Sequence, residues 1–114
     1  MAEKMVFQIH DIELIEILDK KLQRRQDWCA VAFLAAGSIP CVSFAAEFEI
    51  FAQQTKAVYC AEISVDENPN ITAKCGVLAV PTTLILHAGV EKARYEGPYS
   101  ARALLERVSE LLKA

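Results

Sequence analysis

The feature that most constrains the fold is an uninterrupted apolar segment, Trp-Cys-Ala-Val-Ala-Phe-Leu-Ala, at residues 28–35. A strand with one face in water alternates apolar and polar residues, whereas a strand covered on both faces is apolar throughout. Residues 28–35 therefore predict a central strand with helices on both sides of its sheet. The chain has 114 residues, 54% of them hydrophobic, which suits one packed core. We expect a single domain over residues 1–114.

Apolar segments alternate with helical stripes along the rest of the chain. Strands are predicted at residues 5–9, 28–35, 57–65, 80–87 and 90–95. Helices are predicted at residues 11–25, from the Ser38 cap to about residue 56, at residues 69–76, and after a cap at Ser100. The order β-α-β-α-β-α-β-β-α predicts an α/β fold with a mixed central sheet flanked by helices on both faces.

Charge and cysteine spacing argue against several function classes. The net charge of −3 comes from 12 basic and 15 acidic residues without a long block of one sign, which disfavours a nucleic-acid partner. No apolar run approaches the roughly 20 residues of a membrane helix, and the start lacks a secretory signal, so we expect a cytoplasmic protein. The four cysteines, Cys29, Cys41, Cys60 and Cys75, include no C-x-x-C pair, and we expect neither a metal nor a cofactor.

Five short motifs, in order, resemble those of thioredoxins. They are Val31-Ala32-Phe33-Leu34-Ala35, Gly37-Ser38-Ile39-Pro40-Cys41, Val65-Asp66-Glu67-Asn68-Pro69, Lys74-Cys75-Gly76-Val77 with Val80-Pro81-Thr82, and Gly97. The second motif lies where the family has Trp-Cys-Gly-Pro-Cys. The resemblance covers essentially the whole chain. It implies the thioredoxin fold, with a cis peptide bond at Val80–Pro81 against the active-site turn.

Ser38 stands where the family has its attacking cysteine. Thiol–disulfide exchange needs a thiolate at a helix N-terminus and a second thiol that resolves the mixed disulfide. A serine hydroxyl cannot form a disulfide, so only Cys41, at the resolving position, remains. We therefore expect a thioredoxin-family thiol–disulfide oxidoreductase of cell redox homeostasis in a form that does not turn over. Ser38 itself is interpreted as a helix cap. The alternative is a serine that binds glutathione, as in some glutathione transferases, but those enzymes carry a second, helical domain for which 114 residues leave no room.

Four other residues depart from the family pattern. Gly37 replaces a Trp, Ile39 a Gly, Ala32 a buried Asp, and Glu62 a Lys found beneath the site in many members. If Ser38 is an engineered replacement of cysteine, thioredoxin reductase is a further partner. We favour natural divergence, because an engineer would change that residue alone.

Glu62 carries a hypothesis of its own. The resemblance places it beside Ala32 and beneath Cys41, where a carboxylate with a pKa raised by burial would accept the thiol proton in place of the missing Asp. The alternative, which we favour, is that Glu62 reaches solvent or pairs with Lys56 or Lys74.

A second function, a binding module without redox turnover, uses an apolar rim. The resemblance implies that a protein or peptide lies along the Val80–Pro81 loop. We define the apolar rim as the six residues expected to contact it: Gly37, Ile39, Pro40, Ala79, Val80 and Pro81. Thioredoxin-like chaperones and assembly factors hold extended peptides in this way.

Overall fold

The computed structural model describes residues 6–8, 28–55 and 57–113. Five strands within these ranges form one sheet: β1 (Phe7–Gln8), β2 (Trp28–Leu34), β3 (Val58–Ser64), β4 (Thr82–His87) and β5 (Val90–Glu96). Their order across the sheet is β1-β3-β2-β4-β5. β1 and β2 run parallel to β3, whereas β4 runs antiparallel to β2 and β5. The predicted mixed sheet is confirmed, and the helix predicted at residues 11–25 lies outside the described residues.

Three helices are described: α1 (Ile39–Gln54), α2 (Pro69–Lys74) and α3 (Ala101–Lys113). They follow the predicted segments, with shifts of about two residues at some ends. β4 begins at Thr82 instead of residue 80. Pro81 has no N–H for a sheet ladder, and the Thr82 hydroxyl turns back to donate to the Ala79 carbonyl at 2.6 Å.

β2 is buried on both faces, as its apolar sequence predicts. Ala30 and Ala32 belong to a core cluster with the phenylalanines of α1 and with Leu104 of α3. Cys29, Val31 and Phe33 point into a second cluster, which contains Ile71 of α2. The described helices therefore cover both faces of the sheet.

Cys29 and Cys60 are buried in these two clusters, with 0% and 2% of their surface exposed. Burial raises the pKa of the Cys60 thiol to about 12, and burial also raises that of Cys29 well above its usual range. All four cysteines are free. Cys29 and Cys60 are thus small buried side chains within β2 and β3.

A polar contact joins the two helices on one face of the sheet. The Glu47 carboxylate on α1 accepts the backbone N–H of Ala101, the first residue of α3, at 2.8 Å. The Ser100 hydroxyl accepts the N–H of Ala103 at 3.1 Å, as predicted for a cap.

Within the described ranges, no helix combines the length and the apolar character needed to cross a membrane.

Candidate functional site

Ser38 caps α1 through its hydroxyl, as predicted. Its backbone is extended (φ −77°, ψ 122°), and its Oγ accepts the N–H of Cys41 at 3.4 Å. Its carbonyl accepts the N–H of Val42 at 2.9 Å, which begins the helix. Gly37 has φ +80°, a conformation that favours glycine and lets the chain turn sharply from β2 into the cap. The serine hydroxyl therefore has a structural role at the N-terminus of α1.

Cys41 lies in the first turn of α1 with 2% of its surface exposed. Its Sγ accepts the backbone N–H of Ala35 at 3.4 Å. No disulfide involves Cys41. The site therefore offers one thiol, next to a hydroxyl three residues earlier in the chain.

Cys41 and Glu62 line the same cavity of about 210 Å³. Glu62 pairs in register with Ala32, the position predicted for it. The remaining lining residues are Gln8, Leu34, Ala35, Ala36, Val42, Ala45, Ile63 and Ser64. The Gln8 side-chain amide donates a hydrogen bond to the Glu62 carboxylate, a contact that the sequence did not indicate. The role of Glu62 as proton acceptor stays a prediction, and Lys56, one of its expected partners, lies outside the described residues.

The turn before α1 and the Val80–Pro81 loop lie at the same end of the sheet. Phe33, near the end of β2, pairs with Thr82, the first residue of β4. The Val80–Pro81 peptide bond is cis. The carbonyl of Pro81 accepts the N–H of Gly97 at 2.8 Å, which ties this loop to the end of β5.

The apolar rim is mostly open to solvent. Ile39 is 80% exposed, and Gly37, Pro40 and Ala79 are exposed as well, whereas Pro81 is buried. Two further apolar side chains, Leu78 (98% exposed) and Val42 (65% exposed), were missed by the sequence reasoning. The exposure of Leu78 could have been predicted from the sequence. Leu78 lies in a short loop directly before Ala79, where no helix or strand pattern turns its side chain toward the core.

Ala32 of β2 pairs with Glu62 of β3 on one side and with a polar residue of β4 on the other. Thr83 of β4 pairs in register with Ala32 and is 1% exposed. Its hydroxyl has no hydrogen-bond partner among the described residues. A buried hydroxyl without a partner is costly and uncommon in a folded protein. This polar group was not expected from the sequence.

The described part of the chain contains no candidate metal site. No group of three His, Cys, Asp or Glu side chains there could hold a metal ion.

Comparison with known proteins gives consistent results. The thioredoxin family model matches residues 13–110. A thioredoxin from Chlorobaculum thiosulfatiphilum is 30% identical over 82 residues, which covers 70% of this chain and 75% of that protein. A thioredoxin from Alicyclobacillus acidocaldarius subsp. acidocaldarius is 37% identical over 60 residues, 52% of this chain. That match spans only 57% of the relative's own length.

Solved structures extend the similarity over the whole chain. Chloroplastic thioredoxin z aligns with a TM-score of 0.83 and 27% identity, covering 100% of this chain and 99% of its own. Thioredoxin NaTrxh from Nicotiana alata aligns with a TM-score of 0.85 and 22% identity, covering 96% and 95%. The second match, at that identity, supports the fold alone.

Proposed function

We propose that this chain, which belongs to the thioredoxin family, has the site of a thiol–disulfide oxidoreductase without the attacking thiol and does not turn over. The observation that carries this proposal is the cap of α1. Ser38 stands at the attacking position with its hydroxyl bonded to the N–H of Cys41. Cys41 is buried and has no disulfide partner.

The chemistry of the dithiol cycle explains the expected loss of turnover. A thiolate attacks the substrate disulfide and forms a mixed disulfide, which a second thiol then breaks to release the reduced substrate. The serine hydroxyl can do neither step at neutral pH. Cys41 alone could at most form a mixed disulfide that no neighbouring thiol resolves.

We infer that the serine arose by natural divergence. Four other residues also depart from the family pattern, and a single engineered replacement would leave them unchanged: Ala32, Gly37, Ile39 and Glu62.

We further propose a cytoplasmic location and one domain over residues 1–114. The free state of all four cysteines suits a reducing compartment.

A polypeptide-binding module is the second candidate, and the exposure of the apolar rim supports it. Ile39 and Leu78 place large apolar side chains in water at 80% and 98% exposure. The loops that carry them lie at the same end of the sheet, and exposed apolar groups that form a patch commonly mark an interaction site. The proposed ligand is an extended polypeptide along the Val80–Pro81 loop. It would be held without any change in its oxidation state.

Disulfide reduction of a general protein substrate, with dithiothreitol as the reductant, tests the first proposal. We expect the unsubstituted chain to show no rate above the dithiothreitol background and the Ser38→Cys variant to exceed it clearly. Ser43→Cys is the matched control, because Ser43 is an exposed serine on the same helix. Turnover by the unsubstituted chain would refute the proposal. An inactive but folded Ser38→Cys variant would favour the binding module.

The role proposed for Glu62 has a separate test. In this hypothesis, the weaker of the two interpretations of Glu62, the carboxylate accepts the proton of Cys41 across the cavity that both residues line. The rate of Cys41 alkylation is measured against pH in the unsubstituted chain and in Glu62→Gln. We expect the variant's profile to shift, because an amide cannot take up the proton. Two identical profiles would end the hypothesis.

A further inference from the structure

We propose that Arg94 is a positioning residue for polypeptide binding, because it holds in place the backbone from which the loop Val77–Pro81 begins, and Leu78 and Ala79 of that loop are exposed. This inference rests on the second proposed function, in which that loop contacts a polypeptide. Arg94 lies on β5 and was not singled out in the sequence. Its guanidinium reaches the C-terminal end of α2, which directly precedes the loop.

Two carbonyls at the end of α2 accept hydrogen bonds from Arg94. Its Nη2 donates to the Cys75 carbonyl at 2.5 Å, and its Nη1 donates to the Gly76 carbonyl at 2.9 Å. The last carbonyls of a helix lack partners within the helix, and a cation there also complements the helix dipole. Gly76 has φ +67°, so the chain leaves the helix at this residue. Arg94 therefore binds the two carbonyls where the chain direction changes.

Glu91 fixes the plane of the Arg94 guanidinium. Its Oε2 accepts from Nε at 3.1 Å and its Oε1 accepts from Nη2 at 2.8 Å, so the pair meets through two hydrogen bonds. Such two-point pairing restricts orientation, which a lysine ammonium cannot reproduce. The Arg94 side chain is 27% exposed. The acid and the guanidinium together act as one preformed anchor on β5.

The loop is also tied at its other end. The Thr82 hydroxyl donates to the Ala79 carbonyl at 2.6 Å, and the Gly97 N–H donates to the Pro81 carbonyl at 2.8 Å. Leu78 lies between the two anchors, with its side chain almost fully in water. A loop that is ordered before binding loses less conformational entropy when a ligand contacts it. Removal of the Arg94 anchor is therefore expected to weaken binding without removing any ligand contact.

Three variants test the proposal. Arg94→Met removes both carbonyl contacts while it keeps an apolar stem. Arg94→Lys keeps the charge and loses the two-point geometry. Arg102→Met is the matched control, because Arg102 is 90% exposed and its ion pair among the described residues is with Glu106, which is itself 67% exposed. Unfolding in urea first confirms that each variant is folded under the conditions of the binding assay.

The binding probe is a reduced, carboxymethylated and fluorescently labelled unfolded polypeptide, titrated by anisotropy. We expect Arg94→Met to raise the Kd about tenfold, Arg94→Lys to raise it less, and Arg102→Met to leave it unchanged. Hydrogen exchange supplies a readout that a general loss of stability does not mimic. The amides of Gly76 and Val77, which donate to the carbonyls of Ala73 and Thr72, are expected to exchange at least tenfold faster in Arg94→Met, while those of β2 keep their rates.

The outcomes separate the two proposals. If the unsubstituted chain binds and folded Arg94→Met binds equally well, the role of Arg94 is overturned and the binding module stands. A rise in exchange spread evenly over β2 and the loop would also overturn it, since that pattern indicates general destabilisation. If the unsubstituted chain does not bind the probe, the binding module fails and the role of Arg94 fails with it.

Discussion

Replacement of Glu47 by Ala removes the hydrogen bond through which α1 holds the start of α3. The Glu47 Oε1 lies 2.8 Å from the backbone nitrogen of Ala101, and Ala101 is only 5% exposed. After the substitution, that N–H is left at a buried helix end with no acceptor from Glu47. We expect the protein to stay folded and to lose stability.

The size of the loss follows from two terms. A hydrogen bond to a charged group contributes about 1.5–3 kcal/mol, and a negative charge at a helix N-terminus adds about 0.3–1 kcal/mol. Glu47 is only half-buried, which favours the lower part of this range. We therefore expect Glu47→Ala to lower the free energy of unfolding by about 2 kcal/mol. Glu47→Gln keeps a neutral acceptor and is expected to lose about 0.5–1 kcal/mol.

Urea unfolding followed by far-ultraviolet circular dichroism measures both variants, with m-values compared to verify that the unfolding transition is unchanged. Glu106→Ala is the control, because Glu106 is 67% exposed and its pair with Arg102 lies in solvent; we expect a change within about 0.5 kcal/mol. If Glu47→Ala also stayed within that limit, the cap would contribute nothing and the reasoning would be refuted.

Three further predictions concern stability. Phe48→Ala, at a fully buried position of α1, is expected to lower the free energy of unfolding by about 3–5 kcal/mol in urea, and a loss under 1 kcal/mol would contradict the packing described. Ser38→Ala removes the cap of α1 and is expected to lose about 1 kcal/mol, against almost nothing for Ser43→Ala; equal losses would contradict the cap. Burial raises the pKa of Cys60 from 9.0 to about 12 in the folded state. Above about pH 9 the thiol ionises in the unfolded chain while it stays protonated in the folded one. The free energy of unfolding is therefore expected to fall, by up to about 1.4 kcal/mol per pH unit, as the pH rises from about 9 toward 12. Cys60→Ala should make that alkaline slope shallower in urea unfolding, while buried Cys29 keeps its own share, and an unchanged slope would count against the assignment.

The central strand, the capped helix and the hairpin could be predicted because each depends on neighbouring residues. The apolar run of β2 and the Ser38 cap followed by Pro40 are local signals, and the structure contains both elements. The strands predicted at residues 80–87 and 90–95 leave two residues between them, and these, Ala88 and Gly89, form the turn that joins β4 to β5. The placement of Glu62 beside Ala32 came from the family resemblance, and the strand register agrees with it.

Contacts between distant residues could not be predicted. The partner of Glu62 is Gln8, 54 positions away in the sequence. Arg94 meets the carbonyls of Cys75 and Gly76 only because β5 lies at the edge of the sheet near the end of α2. The spacing of residues along the sequence does not predict these pairs, because they form only when folded helices and strands pack against one another. The same is true of the flat stack between Trp28 and the imidazole of His87, whose ring centroids lie 4.2 Å apart.

The central claim is that position 38 is the missing partner of Cys41 in a thioredoxin-family site that keeps the resolving thiol and the cis Val80–Pro81 bond. The most direct measurement is a count of free thiols in the denatured Ser38→Cys variant after mild oxidation, with Ser43→Cys as control. We predict that Ser38→Cys loses two thiols to a disulfide that peptide mapping assigns to positions 38 and 41, whereas the control forms no such bond. A folded Ser38→Cys variant that keeps every thiol free would contradict the claim.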